Sequence, residues 1–449
     1  MLDMKLILRV CVLALGVLLL TSGAAVLAQC EVQKLISDDT VPPLYRLDYG
    51  DSIALDGDRA VVGALYFDRH PCWDCIHTGF AYVYRHDGAR WIPETRLSHS
   101  DGTLSDYFGE TVSISGDTVV VGGRFLGAAY VFHHEDTGWV QEAKLMPWDG
   151  PVYFYGSQVS VSGNVAVVGA DAGAVYVFRR QAGGWAPEQK LNAVPSVLLG
   201  RSLAVNGDYV LVGSPDYPDP RGGLGAVYAF RYDGNNWIEY PKLVPDETPG
   251  GQFGSSVAVH GVRVLIGAPY QDDPEPHTGA AYVFRREGTK WVQEGRLIPS
   301  GAGEGDHIGY DLALGCDYAL LAQNDVELGA GTGTVYVFTR SDMAWSEIGT
   351  LEPRRCDGSR VAVGPMVTNG VSALIVAHEV ADVPDTSGSV RVYTLSEACR
   401  SVLDYAAFQR CFSGDGGGIL GGCGPFDTEP DGDIDLNDLV QFLRTFRGP

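Results

Sequence analysis

Residues 108–123, FGETVSISGDTVVVGG, carry the pattern from which the fold follows. Apolar and small polar residues alternate as far as Ser115, which predicts a β-strand with one buried face. Gly116 and Asp117 then give a two-residue turn signal. A second, more apolar strand follows and ends in Gly122-Gly123. The stretch therefore predicts a β-hairpin bounded by glycines.

Copies of this hairpin recur at intervals of about 44 to 59 residues. Each copy opens with an apolar residue and a glycine: Tyr49-Gly50, Phe108-Gly109, Tyr155-Gly156, Leu199-Gly200, Phe253-Gly254 and Ile308-Gly309. A seventh, degenerate copy begins near Gly358. A third strand follows each hairpin, as in AAYVFH at 128–133. A fourth strand begins with a tryptophan in six copies: Trp91, Trp139, Trp185, Trp237, Trp291 and Trp345.

Four short antiparallel strands per repeat predict an all-β fold. A unit of this size cannot bury both of its own faces, so neighbouring units must stack. Radial stacking of four-stranded sheets is the architecture of a β-propeller, here with seven blades. A tryptophan at one position of six repeats is more typical of packing between blades than of sugar stacking.

The two ends of the repeat region complement one another. The seventh copy ends at GSVRVYTL (388–395) without a fourth strand, whereas EVQKL at 31–35 matches the fourth strand of other copies, such as QEAKL at 141–145. We therefore expect the N-terminal strand to complete the last blade, which would leave no exposed sheet edge. Antiparallel pairing would place Cys30 near Cys399, and we expect a Cys30–Cys399 disulfide there.

These phrases resemble the FG-GAP repeats of integrin-α-type propellers, which carry Phe-Gly and then Gly-Ala-Pro in each of seven repeats. The resemblance covers a domain at 29–396. Many such repeats hold an Asp-rich calcium loop before the Gly-Ala-Pro strand. Here that place holds only a tight turn, such as SGDT at 115–118, so the resemblance implies no calcium ion in the propeller.

The N-terminus predicts export. Lys5 and Arg9 precede an apolar run to Leu20 and then small residues, which is the pattern of a secretory signal peptide at 1–28. A lipoprotein signal with an acylated Cys30 is the alternative. No later stretch is apolar enough to predict a membrane span. We expect a secreted or cell-surface protein.

Composition narrows the class of partner. The net charge of −24 disfavours nucleic acid and anionic lipid. The 58 glycines and 10% aromatic residues suit an all-β protein with many turns. After the signal is removed, eight of the nine cysteines remain, an even number that suggests disulfides in an exported chain. We expect a monomer.

The tail at 397–449 differs in composition and contains two related segments, DYAAFQRCF (404–412) and DLVQFLRTF (438–446), which predict helices. An acidic stretch before the second helix has the spacing of a calcium loop, with Gly432 at the sharp bend. The expected ligands are Asp427, Glu429, Asp431, Asp433, Asp435 and Asp438. The tail resembles a dockerin, or EF-hand-like, module, which implies a cohesin-like docking partner. In the matching first loop the ligand positions hold Tyr393, Leu395 and Glu397, so that loop has decayed. We expect a Cys411–Cys423 disulfide between the helices.

Other candidate chemistry is sparse. RHPCWDCIHTG at 69–79 could place His70, Cys72, Cys75 and His77 around a zinc ion, but export favours a Cys72–Cys75 disulfide. We also pair Cys316 with Cys356. The stretch GDSI at 50–53 mimics an esterase nucleophile, but Ser52 occupies a position of the repeat, and we expect a structural role for it.

Long connections between the second and third strands occur in blades one, four, five, six and seven, and all should emerge on one face. Our first hypothesis is a non-enzymatic binding or adhesion protein that holds a protein or glycan ligand on this face, without a catalytic residue or an organic cofactor. The alternatives are a secreted carbohydrate-active enzyme, which would need paired carboxylates, and a structural component of the cell surface.

Overall fold

The computed structural model describes residues 31–36, 45–68, 79–101, 106–170, 174–192, 202–218, 224–247, 250–272, 275–315, 317–323, 333–341, 344–353, 362–368, 372–378 and 389–394. These residues form seven antiparallel four-stranded sheets. Within the described ranges there is no helix, and therefore none that is long and apolar enough to cross a membrane. The fold is a seven-bladed β-propeller, as the repeats predict.

The strands follow one another blade by blade. The first strand, β1 (Glu31–Leu35), precedes blade one, which consists of β2 (Tyr45–Asp56), β3 (Arg59–Asp68), β4 (Gly79–His86) and β5 (Trp91–Leu97). Blade two consists of β6 (Thr111–Ser115), β7 (Thr118–Gly122), β8 (Ala129–Glu135) and β9 (Gly138–Leu145). Blade three consists of β10 (Gln158–Ser162), β11 (Val165–Ala170), β12 (Ala174–Gln181) and β13 (Gly184–Asn192).

The remaining four blades repeat this order. Blade four consists of β14 (Leu203–Asn206), β15 (Tyr209–Pro218), β16 (Leu224–Tyr232) and β17 (Trp237–Leu243). Blade five consists of β18 (Val257–His260), β19 (Arg263–Ala268), β20 (Ala280–Glu287) and β21 (Lys290–Leu297). Blade six consists of β22 (Leu312–Leu314), β23 (Tyr318–Ala322), β24 (Val335–Ser341) and β25 (Ala344–Leu351). Blade seven consists of β26 (Ala362–Thr368), β27 (Ser372–His378), β28 (Ser389–Thr394) and β1.

The first strand of each blade lies at the axis of the ring. These inner strands contact one another in sequence, β2 with β6, β6 with β10 and onward to β26, which contacts β2 again. The second strands, at the centre of the blades, are the most apolar and are buried throughout β7 and β11. Each blade therefore places its two most apolar strands between an inner strand at the channel and an outer strand at the rim.

The N-terminal strand closes the ring, and this prediction is confirmed. β1 pairs antiparallel with β28, from Glu31 opposite Tyr393 to Leu35 opposite Val390. Leu35 is only 3% exposed and fills the position held by the last leucine of the outer strand in each other blade. Because β1 pairs with the edge of β28, every blade in the described part of the propeller has four strands.

Gln33 shows that β1 is a true outer strand of the repeat. Its side-chain amide donates to the Trp91 carbonyl at 2.6 Å and accepts from the Trp91 amide at 2.8 Å. Gln189 makes the same pair of bonds with Trp237, at 2.9 and 2.8 Å. The outer strand of one blade thus binds the first residue of the next blade's outer strand, and β1 binds blade one in this way.

All six tryptophans pack between neighbouring blades, as predicted. Trp91 of blade one packs in one apolar cluster with Leu374 and Val376 of blade seven. Trp237 likewise joins the residues of blade three, and the other four occupy the corresponding junctions. The indole nitrogen of Trp237 also donates to Glu188 Oε2 at 2.9 Å, across the junction. The repeated tryptophan is therefore a packing residue.

Serine hydroxyls satisfy the free edge of several inner strands. The Val161 amide donates to Ser113 Oγ and the Val205 amide donates to Ser160 Oγ, each at 3.0 Å and each across a blade junction. An inner strand has no strand partner on its channel side, so its amides would otherwise rely on water. The TVSIS type of sequence thus joins neighbouring blades as well as filling the core.

The tight turn that replaces a calcium loop is present where the sequence predicts it. In blade two, Ser115 pairs with Thr118 across Gly116-Asp117. Gly116 has φ +55°, the left-handed value at the first position of a type II′ hairpin turn, which favours glycine. The equivalent glycines of blades one, three, four and five have φ between +57° and +59°.

Several predictions lie outside the described residues: the signal peptide at 1–28, the tail at 397–449 and all four disulfide pairings.

Candidate functional site

A cavity of about 660 Å³ lies on the axis of the ring. Blades one to six contribute residues within a few positions after their Phe-Gly-type pairs, such as Ser52, Thr111 and Asp311, and blade seven contributes Pro365 and Met366. Strand direction alternates within a blade, so these residues lie at the end of the propeller that carries the connections between second and third strands. Arg124 and Tyr270, from two of those connections, also line the cavity. The mouth of the cavity therefore opens on the loop-bearing face.

Two carboxylates of the cavity are held by backbone amides at one position of the repeat. Asp51 Oδ2 accepts from the Leu65 amide at 3.3 Å, and Glu110 Oε2 accepts from the Arg124 amide at 2.8 Å. The guanidinium of Arg124 also donates through Nε to Glu110 Oε1 at 2.5 Å. The Arg124–Glu110 pair thus places charge-assisted donors and acceptors side by side at the mouth.

Asp311 is the third carboxylate, and its environment differs. Serines hold its position in blades one, four and five, and they form hydrogen bonds to the next blade. Within the described chain no hydrogen bond or ion pair reaches the Asp311 carboxylate. Shielding from bulk water raises its pKa to about 6, because the charged form loses solvation that no partner replaces. Asp311 therefore changes charge in mildly acidic solution.

Asp311 should make the propeller more stable in mild acid. Its pKa is about 6 in the folded protein against 3.8 ordinarily, so between these values the folded state binds more protons than the unfolded state. The contribution of this group to stability therefore falls as pH rises through about 6. We expect the gain in melting temperature from pH 7 to pH 5 to be smaller in Asp311→Asn than in the wild type. Asp136→Asn, at an exposed turn, should keep the full gain. Equal gains in all three proteins would contradict the prediction.

Three aromatic side chains form a row beside the cavity, next to its lining residue Arg124 and on the side of blades two and three; we call Tyr107, Phe125 and Phe154 the aromatic row. The ring centroids of Tyr107 and Phe125 lie 5.0 Å apart, and those of Phe125 and Phe154 lie 5.4 Å apart. Phe125 is 55% exposed. The Arg124 guanidinium lies 6.0 Å from the Tyr107 ring centroid, so the row adjoins the Arg124–Glu110 pair.

A second aromatic cluster belongs to blades five and six. Tyr270 packs edge-on against His307 at 4.8 Å and against His277 at 5.6 Å. His277 and His307 both have left-handed backbone, with φ +51° and +48°. Among the residues the structure describes, no group of three or more His, Cys, Asp or Glu side chains is placed to hold a metal ion.

Ser52 has the structural role that its repeat position predicts. Its hydroxyl donates to the Gly109 carbonyl of blade two at 2.9 Å. Ser202 and Ser256 donate in the same way to Gly254 and Gly309 of the following blades, at 2.9 and 2.6 Å. One bond of this kind at three junctions indicates that the serine fastens neighbouring blades together.

The other sequence-predicted sites are not tested. Two predicted metal sites lie outside the described residues. They are the possible zinc site of His70, Cys72, Cys75 and His77 and the calcium loop of Asp427, Glu429, Asp431, Asp433, Asp435 and Asp438. Sequence reasoning missed the cavity residues Asp51, Glu110, Arg124 and Asp311 and the aromatic row. The sequence contained part of the information needed to find these residues, because most of them flank the Phe-Gly-type pairs.

Comparison with protein families agrees with this geometry. The profile of the family described as FG-GAP repeat matches residues 91–132, 139–178 and 237–284. The chain carries FG-GAP repeats. Each matched segment begins at an outer-strand tryptophan and ends in the third strand of the next blade. No curated protein matches the chain significantly.

The FG-GAP unit is therefore offset by one strand from the structural blade. Counted in this frame, the propeller holds seven whole units, from β1–β4 at the start to β25–β28 at the end. The first strand of each unit belongs to the blade of the preceding unit, and β1 accordingly belongs to blade seven. This offset is why the FG-GAP propeller closes through β1.

Proposed function

We propose that the chain is a secreted, non-enzymatic binding or adhesion protein. The loop-bearing face of the propeller holds a protein or glycan ligand, and the calcium-dependent tail tethers the protein. The observation that carries the proposal is the aromatic row beside the cavity, with Phe125 more than half exposed. Exposed aromatic side chains beside a concave site are typical of interaction surfaces. The FG-GAP propeller fold is consistent with this function.

Replacing Phe125 with alanine should weaken ligand binding. We expect a loss of about 10-fold or more, because a contacting aromatic side chain contributes roughly 1.5–3 kcal/mol through burial. The measurement is binding of the full chain to an array of glycans and matrix proteins. Ile238→Ala is the matched control, since Ile238 is 46% exposed on the outer strand β17. A ligand bound equally by wild type and Phe125→Ala would contradict this site.

The tail should bind calcium through the acidic loop. We expect heat of binding on titration of the full chain with calcium and its loss in Asp431→Ala, because position 5 of the loop supplies a ligand oxygen. Asp415→Ala, outside the loop sequence, is the control and should keep the heat. Absence of heat in the wild type, or heat unchanged in Asp431→Ala, would contradict the calcium module and the cohesin-like docking proposed with it.

Asp311 favours a second candidate, a carbohydrate-active enzyme. General acid–base catalysis needs carboxyl groups with different pKa values in one site. Asp311, with its raised pKa, shares the cavity with Asp51 and Glu110. Hydrolysis of a polysaccharide at pH 5 that falls at least 100-fold in Asp311→Asn would establish the enzyme. Absence of hydrolysis would leave the binding function as the better account, and hydrolysis unchanged in Asp311→Asn would exclude Asp311 as the catalytic group.

A further inference from the structure

The aromatic row offers apolar ring surface to solvent in a fixed arrangement. Phe125 stands between the rings of Tyr107 and Phe154, within 5.0 and 5.4 Å of their centroids. Tyr153, next along the chain to Phe154, is 87% exposed. Soluble proteins seldom expose several large aromatic side chains in one place without an interaction to use them.

The backbone at two of these rings has an unusual conformation. Tyr107 and Phe154 have φ +60° and +53°, a left-handed conformation that is unfavourable for bulky residues. Each begins a tight turn through the Phe-Gly-type pair, closed by hydrogen bonds of 3.1 Å from the Glu110 and Ser157 amides. Gln252 occupies the same position in blade five with φ +60°, so the turn is common to the repeat. At this position blades two and three carry Tyr107 and Phe154, whereas blade five carries a glutamine and blade six carries His307.

A polar pair lies directly beside the rings. The Arg124 side chain is 49% exposed and donates to Glu110, whose carboxylate also accepts the Arg124 amide. The pair presents donors and acceptors together while carrying no net charge of its own. Sugar hydroxyls donate and accept at once, and the C–H face of a pyranose ring is apolar, so this surface matches both sides of a sugar.

The negative charge of the chain and of the cavity favours neutral glycans over acidic ones. The chain has a net charge of −24, and the described charged residues that line the cavity are three carboxylates and one guanidinium. Such a site repels uronic acids and sulfated sugars, whereas neutral sugars carry no such penalty. We infer that Tyr107, Phe125 and Phe154, with Arg124 and Glu110, form a subsite for a neutral polysaccharide beside the cavity. This inference rests on the proposed binding function and names its ligand class.

The test compares neutral and acidic soluble polysaccharides. The full chain, with calcium present, is titrated with a β-glucan, a mannan, polygalacturonate and a glycosaminoglycan. We expect binding of at least one neutral polysaccharide and of neither acidic one. Phe125→Ala should weaken neutral binding about 10- to 100-fold, since stacking area is lost. Phe125→Trp should retain it, and Ile238→Ala should match the wild type. Thermal melting of each variant establishes that it is folded.

The possible failures are distinguishable. Preferential binding of the acidic polysaccharides, absence of neutral binding, or neutral binding unchanged in folded Phe125→Ala would overturn the inference. If only a protein ligand binds, and Phe125→Ala abolishes that binding, the inference is overturned while the proposed binding function stands.

Discussion

Deletion of residues 29–36 is expected to abolish cooperative unfolding of the propeller. The deletion removes Leu35 from the core, the pairing of β1 with β28 and both bonds between Gln33 and Trp91. Loss of a buried leucine costs about 2–5 kcal/mol, and each lost hydrogen bond costs about 1 kcal/mol. Leu35 and the two Gln33 bonds alone total roughly 4–7 kcal/mol, which is comparable to the whole stability of a typical domain even before the backbone pairing is counted.

A peptide added in trans provides the control. Residues 31–36 as a synthetic peptide should restore a cooperative thermal transition to the truncated protein, because the vacant edge of β28 matches the β1 register. The same peptide with Leu35→Asp should not, since a charged side chain would replace a leucine that is only 3% exposed. Melting is followed by calorimetry and near-ultraviolet circular dichroism. A truncated protein that melts as the intact one does would refute closure of the ring by β1.

Gly267→Ala should be a highly damaging substitution at a blade junction. A Cβ atom at this position would overlap the Gly309 carbonyl oxygen of blade six and the Ser256 hydroxyl. Ser256 already donates to that carbonyl at 2.6 Å, so neither group can withdraw without breaking the bond between blades. We expect a loss of about 3 kcal/mol in the free energy of unfolding, at the upper end of the cost of overpacking. Urea denaturation measures it.

Gly183→Ala is the matched control for the glycine substitution. An added Cβ there meets nothing within 4 Å, so the change should alter stability by about 0.5 kcal/mol or less. Gly63 and Gly213 make the same close approach to the next blade as Gly267, and their alanine variants should resemble Gly267→Ala. If Gly267→Ala and Gly183→Ala proved equally stable, the close approach of the next blade would not exclude a side chain at Gly267.

The blade architecture could be predicted because the same pattern of apolar residues and turn residues recurs in each copy of the repeat. A single Trp91 or Leu97 says little about its surroundings. The same residue type at one position in successive copies identifies a packing site, and the structure confirms it. The closure followed from counting strands, since the seventh copy lacks an outer strand and EVQKL precedes the first.

The cavity and the aromatic row beside it could not be predicted in the same way. Phe125 lies in the short connection of blade two, whereas the sequence drew attention to blades with long connections. Its value as a contact surface depends on Tyr107 and Phe154, which converge on it from two different turns. In the sequence, Asp311 is only one more residue after a Phe-Gly-type pair. Its position in the cavity is evident only in the folded ring.

The sequence by itself determined the strand order, the number of blades and the strand that completes the ring. Local periodicity and the count of repeats carry that information, because each blade obeys the same short-range rules. Only the tertiary structure decided which side chains meet at the axis and which aromatic rings remain exposed. Those properties depend on residues from several blades at once. A periodic pattern does not specify the distance between residues of different blades that depart from the repeat.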